Sequence, residues 1–218
     1  MNLFDICKRL LDITIAIIAM VILSPVFIAI LISIRFSSKG PIIFKQERAG
    51  KRGKPFVFYK FRTMKSDVEP YGPSPKSGQD PRLTRVGKFL REYSLDELPQ
   101  LFNVLIGDMS IVGPRPLYIS QIPEWNENQK KRLLVKPGLT GLAQIGGRAE
   151  LTREEKLDLD VKYVETASLL TDIRIVFETV AYVFKHKNIY EKSYSQTEYT
   201  RGSNKNPKAE SFNGARPE

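Results

Sequence analysis

The 218-residue chain has a single cysteine, Cys7, and a single histidine, His186. One cysteine excludes an intramolecular disulfide and fits a reducing compartment. One histidine, in an apolar helical context near the C-terminus, excludes a His-based triad, and the pair cannot supply a zinc cluster. Neither a Walker A loop nor a proper GxGxxG is present, so no nucleotide-binding fold is indicated by glycine pattern. No repeat appears, and the one low-complexity stretch is the Pro-, Gly- and Ser-rich loop 69–81.

Acidic residues are scarce where basic ones crowd. Formal net charge is +10 and the pI about 9.6. Between Arg35 and Lys65, ten Lys and Arg residues face only Glu47, leaving about +9. That segment directly follows the charge-free run Ile13–Ile34, as a polybasic juxtamembrane patch would. The run, about 22 residues, is long enough to cross a bilayer and lacks a small-residue cleavage site. Lys8 and Arg9 precede it, and Arg35, Lys39, Lys45 and Arg48 follow. A straight span would carry one basic flank across, against the positive-inside bias. Ser24-Pro25 stands at its middle. Pro25 has no N–H for the Val21 carbonyl, and the Ser24 hydroxyl can bond a carbonyl one turn back. Two arrangements fit: a proline-kinked span, or a re-entrant hairpin with both flanks in the cytoplasm.

Beyond the run, 41–48 and 55–61 read as a β-hairpin around a glycine-rich turn, with Phe44, Phe56, Phe58 and Phe61 on its apolar faces. Lys60 and Arg62 would share one side by the period of two, as a solvated face or as functional cations. Residues 83–93 have helical spacing, and Leu98, Leu101, Phe102, Leu105 and Ile106 mark a buried stripe. Residues 117–135 suggest an amphipathic helix with Trp125 and the Lys130–Arg132 cluster, on headgroups or packed on the domain. The glycines of 136–141 and 146–147 are a weak signal for backbone approach to a phosphate. Thr152-x-x-Glu155 caps a helix towards Val164, an apolar helix covers 168–187, and a polar tail, expected to be disordered, follows Glu191.

Chemistry is best placed on Ser94-Leu95-Asp96-Glu97. Ser94-x-x-Glu97 is also a capping box, with both acids in a first turn complementing the helix dipole. The readings are compatible, because a helix N-terminus is an anion site. Arg91 lies a turn before, and a Gly113–Pro116 turn follows. Carboxylates beside fixed arginines suit metal-assisted phosphate chemistry. Asp158-Leu-Asp160 is not a DxD metal motif: on a helix, residues two apart diverge by about 200°.

In order along the chain, KRLLDI (8–13), Ser24-Pro25, FKQERAG (44–50), FYKFRTM (58–64), RLTRVGKFLREYSLDELPQLFNV (82–104), GDMSIVGPRP (107–116), KPGLTGLAQIGGR (136–148) and LDLDVKYVE (157–165) resemble the bacterial sugar transferase family, the monotopic polyprenol-phosphate phosphoglycosyl transferases. The likeness runs from Phe4 to about Tyr190, and the chain's size is similar to that of the minimal members. It implies an α+β, mostly helical fold: a re-entrant helix hairpin broken at Ser24-Pro25 (1–38), a short β-hairpin within a membrane-surface catalytic domain (39–190), and the tail (191–218). The implied reaction moves a phosphosugar from a UDP-sugar to undecaprenyl phosphate and releases UMP. It takes place on the cytoplasmic face of the bacterial plasma membrane, through a covalent aspartyl intermediate, and begins surface-glycan assembly ahead of downstream glycosyltransferases. Asp96 matches the nucleophile and a ligand of the Mg²⁺ cofactor, and Glu97 its dyad partner. Lys60, Arg91, Arg115 and Asp160 match other site positions and Gln144 and Arg148 recurring family positions; with Arg62, the neighbour of Lys60 by the strand's period of two, they are the expected substrate-binding residues. Ala143 departs from the pattern, where many members have Trp. Two other classes stand beside the enzyme: a membrane-anchored nucleic-acid-binding protein, suggested by charge alone, and a structural membrane-surface module. The resemblance favours the enzyme, with phospholipid rather than nucleic acid as partner.

Overall fold

The computed structural model describes residues 3–68, 75, 77–147 and 150–184. His186, Arg148, most of the 69–81 loop and the tail lie outside the described residues. Helices dominate, with two small two-stranded sheets.

Helix α1 (Leu3–Ile22) and α2 (Ser24–Ser37) meet at Leu23 with a bend of 63°. The break is where the missing Pro25 N–H puts it. Ser24 Oγ donates to Val21 O at 2.8 Å, giving that carbonyl the partner proline cannot supply. Among the described residues no single helix is long and apolar enough to cross a membrane; the bent pair together has the length and composition of a broken span or a re-entrant loop.

The first half of α1 belongs to the folded body. Ala16 is fully buried in the main core with Phe56, Phe58, Leu101, Val104, Met109 and Ile175. Lys8 donates to Val112 O and pairs with Asp172. Arg9 donates to Val104 O (2.6 Å) and Leu105 O (2.8 Å). Asp12 accepts from Ser110 Oγ and Ile111 N, both at 2.9 Å. Lys8 and Arg9, read as one of the two basic flanks, are thus engaged inside the protein.

The hairpin forms as expected: β1 (Ile43–Ala49) pairs antiparallel with β2 (Pro55–Phe61). Helix α3 (Arg85–Glu92) follows, capped by Thr84, whose hydroxyl accepts from Gly87 N at 2.8 Å. A 3₁₀ turn (Leu95–Glu97) leads into α4 (Gln100–Ile106). Next come β3 (Ser110–Val112), the single-turn α5 (Glu127–Lys130), β4 (Gly138–Thr140), the short α6 (Leu142–Ile145), and α7 (Arg153–Thr166) and α8 (Leu169–Phe184). Thr152 and Glu155 form the expected capping box on α7.

Three readings are corrected. Ser94 and Glu97 do not form a capping box: Ser94 adopts a left-handed conformation (φ 56°), its side chain makes no cap bond, and α4 starts only at Gln100. Residues 117–135 are not one amphipathic helix but two 3₁₀ segments around α5, because Pro123 and the extended Trp125 interrupt it. Trp125 is buried, not presented to headgroups. The loop at 136–141 contains β4, which pairs parallel with β3. Its glycines serve backbone packing: a Cβ on Gly138 would lie 2.1 Å from Gly113 N, and one on Gly141 would lie 2.2 Å from Gly113 O.

Gly87 gives a sharp test. A Cβ there would sit 1.9 Å from Thr63 O, backbone that cannot yield cheaply. Gly87→Ala should therefore lower stability by about 1–3 kcal/mol in a detergent-solubilised melt. An open helix position would instead gain about 1 kcal/mol.

Candidate active site

Two carboxylates and two cations converge where β2 meets the Leu95–Glu97 turn. Asp96 is almost wholly buried. Lys60 Nζ lies 2.7 Å from Asp96 Oδ2 and 3.4 Å from Glu97 Oε1. Arg115 Nη2 donates to Glu97 Oε1 at 2.9 Å. Lys60 shares the core-facing side of β2 with Phe56 and Phe58, which draws its ammonium inward at the end of that row. The left-handed turn at Ser94 lets the chain reverse after α3 and bury Asp96. Strain of this kind is commonly kept at functional positions.

An unforeseen residue sets the spacing between strand and turn. Asn103 on α4 donates to Val57 O (2.7 Å) and accepts from Tyr59 N (3.1 Å), clamping β2 as a neighbouring strand would. Lys60, next along, is thereby fixed opposite the carboxylates. In the sequence Asn103 is only a polar residue within a helical stripe, so its partner was invisible.

The remaining positions divide. Arg91 donates from Nε to Thr63 Oγ1 at 3.0 Å, on the helix packed against the acidic turn. Near it, Arg82 holds the Asp80 carboxyl below its ordinary value through a paired contact, at 2.7 Å for Nη2. Arg62 does not accompany Lys60. Strand β2 ends at Phe61, and the Arg62 Nη2 donates to Ser38 O (2.8 Å) and Oγ (3.0 Å) at the exit of α2. Gln144 is buried, and its amide has no hydrogen-bond partner among the described residues. Its Oε1 lies near Gly141, against Gly113 and two residues from Arg115 in sequence along that turn.

Asp160 is also buried, and its partner is Arg132. Arg132 donates to Asp160 Oδ2 from Nε (3.1 Å) and Nη2 (2.6 Å), stacks 4.8 Å over Trp125, and donates from Nη2 to the backbone oxygen of Arg115. Burial pushes the Asp160 carboxyl up, while Arg132 and Arg115 oppose that rise. Asp160 thus reaches the site through Arg132, which tethers the backbone of Arg115. Asp158 faces outward, as the helical angle requires. Arg132 was hidden in the sequence as one of three successive cations; only its burial distinguishes it.

Among the described residues no group of three or more His, Cys, Asp or Glu side chains surrounds a common point. Mg²⁺ often needs fewer, since one or two carboxylates plus substrate phosphates can hold it. Asp96 Oδ2 is buried and, despite the close ammonium, accepts no aligned hydrogen bond. An adjacent carboxylate pair, one member of it buried, fits such an ion.

Two carboxylates and two cations thus converge on one turn beside the bent helix pair. Comparison with known proteins gives it a class. Residues 3–186 match the family described as bacterial sugar transferase. The sugar transferase EpsL of Bacillus subtilis, itself uncharacterized, is 42% identical over 198 residues, covering 91% of this chain and 97% of that protein. The UDP-glucose:undecaprenyl-phosphate glucose-1-phosphate transferase of Escherichia coli is 44% identical over 191 residues, 84% of this chain and 41% of that protein. The galactosyl transferase CpsE of Streptococcus agalactiae is 45% identical over 190 residues, 82% of this chain and 42% of that protein. The chain therefore spans under half the length of the last two. It belongs to the bacterial sugar transferase family and is a transferase.

The tether is testable. Arg132→Met strands Asp160 in the interior and should cost about 3–5 kcal/mol of stability. Adding Asp160→Leu should restore most of that stability, yet turnover should stay low because Arg115 is untethered. Full turnover in the double variant would show that Arg115 holds its place without Arg132.

Proposed function

We propose that the chain moves a phosphosugar from a UDP-sugar to undecaprenyl phosphate, releasing UMP, through a phosphosugar held covalently on Asp96. The observation that carries this reading is the convergence of Asp96, Glu97, Lys60 and Arg115. Four relatives bear the name of a UDP-glucose:undecaprenyl-phosphate glucose-1-phosphate transferase.

In the first displacement an Asp96 carboxylate oxygen bonds to the sugar-proximal phosphorus. The bond from that phosphorus to the bridging oxygen breaks, and the oxygen leaves with UMP. In the second, an oxygen of the lipid phosphate attacks the same phosphorus, the bond to Asp96 breaks, and the product is a lipid diphosphosugar. Both steps concentrate negative charge, which fixed cations stabilise best in a dry site. Lys60 rests on Asp96 and has only to shift to an incoming phosphate to free the nucleophile. Arg115 and Arg91 are the further phosphate contacts. Gln144, whose buried amide lacks a partner, is a substrate contact, and Arg148 is proposed as another. Bound at Asp96, with Glu97 beside it, Mg²⁺ would neutralise phosphate charge.

The acceptor reaches this site from the bilayer. A groove of about 680 Å³, lined by Pro25, Val26 and Ile30 of α2 and Val86 and Phe89 of α3, ends at Leu95, next to Asp96. Its nearly apolar lining suits an isoprenoid chain. Both ends of the bent pair fasten to one body, through Lys8 and Arg9 at one end and through the Ser38–Arg62 contact at the other. This supports a re-entrant arrangement; the cytoplasmic face follows from the proposed UDP-sugar donor.

Intact-protein mass after incubation with UDP-sugar and Mg²⁺, without lipid, should rise by one phosphosugar, and Asp96→Asn should show no gain. Because Asp96 is also the buried partner of Lys60, a melt of Asp96→Asn beside the unchanged protein separates loss of the nucleophile from loss of the fold. Release of UDP instead of UMP would exclude the covalent route.

Topology has its own check. In a Cys7→Ser background, cysteines at Leu3 and Lys39 should both escape an impermeant thiol reagent applied outside intact cells. Labelling at Leu3 would mean an ordinary span.

A further inference from the structure

The backbone stays right-handed and helical from the acidic turn into α4, through Leu98 and Pro99. Asp96, Gln100 and Asn103 follow one another at steps of four and three, and all three are buried. They form one stripe on a single face. Both ends of that stripe are placed against β2. Lys60 Nζ lies 2.7 Å from Asp96 Oδ2, and Asn103 clamps Val57 O and Tyr59 N. Gln100 lies between them, in the seam between helix and strand.

Gln100 is only 1% exposed, and its Nε2 is buried without a hydrogen-bond partner among the described residues. Folded chains rarely leave an enclosed amide unmet, and each exception asks for a use. Packing alone does not require glutamine here. Methionine has the same length and a similar helix propensity, with no strong donor to bury. Asn103, the next amide on the stripe, spends its donor on the strand; Gln100 does not. The two neighbours of Asp96 also differ in freedom. The Lys60 side chain is 19% exposed and reaches Glu97 as well, whereas Gln100 is enclosed.

We propose that Gln100 is the positioning residue of the nucleophile: as Lys60 moves to an incoming phosphate, the Gln100 amide donates to the Asp96 carboxylate and holds it. The inference rests on the covalent route proposed above. A neutral donor suits the task, because it offsets a buried charge without carrying a proton acidic enough to quench it. In the first displacement one carboxylate oxygen bonds to phosphorus, and the other becomes a carbonyl. In the second that bond breaks, and its electron pair returns to the carboxylate. A hydrogen bond is stronger to the ion than to the carbonyl. Gln100 therefore favours discharge of the intermediate, and its loss slows the steps that regenerate the carboxylate.

The test compares Gln100→Met with the unchanged full chain in detergent micelles, with Mg²⁺ throughout. A melt comes first, and the variant should be at least as stable, since an unpartnered amide is removed. Both proteins are charged with a pool of UDP-hexoses and UDP-N-acetylhexosamines, and the adduct is followed by intact mass. After removal of the donor it is discharged in two ways, by undecaprenyl phosphate and, in reverse, by UMP. Gln100→Met should still charge, and should discharge roughly 10- to 100-fold more slowly by either route. In steady state kcat should fall, while kcat/KM for the UDP-sugar, which reports the first displacement, stays within about threefold. Slow discharge to the lipid with normal discharge to UMP would make Gln100 an acceptor contact and overturn the proposal. Charging and discharge lost together with a lowered melt would make it a packing residue, and unchanged rates would do the same. No adduct on the unchanged protein would remove the covalent route and this inference with it. An adduct on the unchanged protein beside a variant that discharges normally fails this inference alone.

Discussion

Three charged side chains on one face of α1 fix the geometry of everything above them. Lys8, Arg9 and Asp12 lie in or beside a low-dielectric core, where an unmatched charge is costly. Each is matched by groups from different parts of the chain: Asp172 from α8, the carbonyls that end α4, and Ser110 with Ile111 of β3. Arg9 also meets the α4 C-terminus, where the helix dipole favours a cation. Pulling α1 away would leave several buried charges unpaired at once.

That arrangement continues into the site. Val112 O accepts from Lys8 Nζ at 3.1 Å, and the Tyr163 hydroxyl, also 3.1 Å from that oxygen, shares its one proton between it and Asp172, which lies closer at 2.7 Å. Burial and the neighbouring Asp172 push the Tyr163 hydroxyl pKa upward, so it remains a donor. Val112 ends β3, and Gly113 to Arg115 follow directly. Arg115 is therefore anchored from two sides: by Val112 below, and by Arg132 at its own carbonyl. Its guanidinium, nearly half exposed, pairs with Glu97, whereas Lys60 is held deeper by the strand.

The carboxylate pair needs that dry, fixed frame. Two adjacent acids in water would repel weakly and bind cations weakly; beside buried walls, each nearby cation counts for more. The apolar groove between α2 and α3 is lined by Leu95, the neighbour of Asp96, and so opens beside the same point.

The sequence by itself determined the elements whose cause is local. Pro25 and Ser24 dictated the helix break, alternation and glycines dictated the β-hairpin, and Thr152 with Glu155 dictated a helix start. The acidic pair and the Gly-Pro-Arg turn were legible because motifs of that length rarely recur by chance. Tertiary structure decided which polar residues are spent inside and which are gathered at the acidic turn. Arg62 and Arg132 look like any surface cation in a basic chain, yet one ends at Ser38 and the other at Asp160. Ser94 has capping chemistry, but the turn needed to bury Asp96 imposed a left-handed backbone that no capping box allows. The parallel β3–β4 pair joins segments more than twenty residues apart and only three residues long, too short for periodicity to mark. Lys8 and Arg9 carry the plainest reason. Charge is visible in sequence, but burial, which sets its energetic consequence, exists only once distant segments have closed over it.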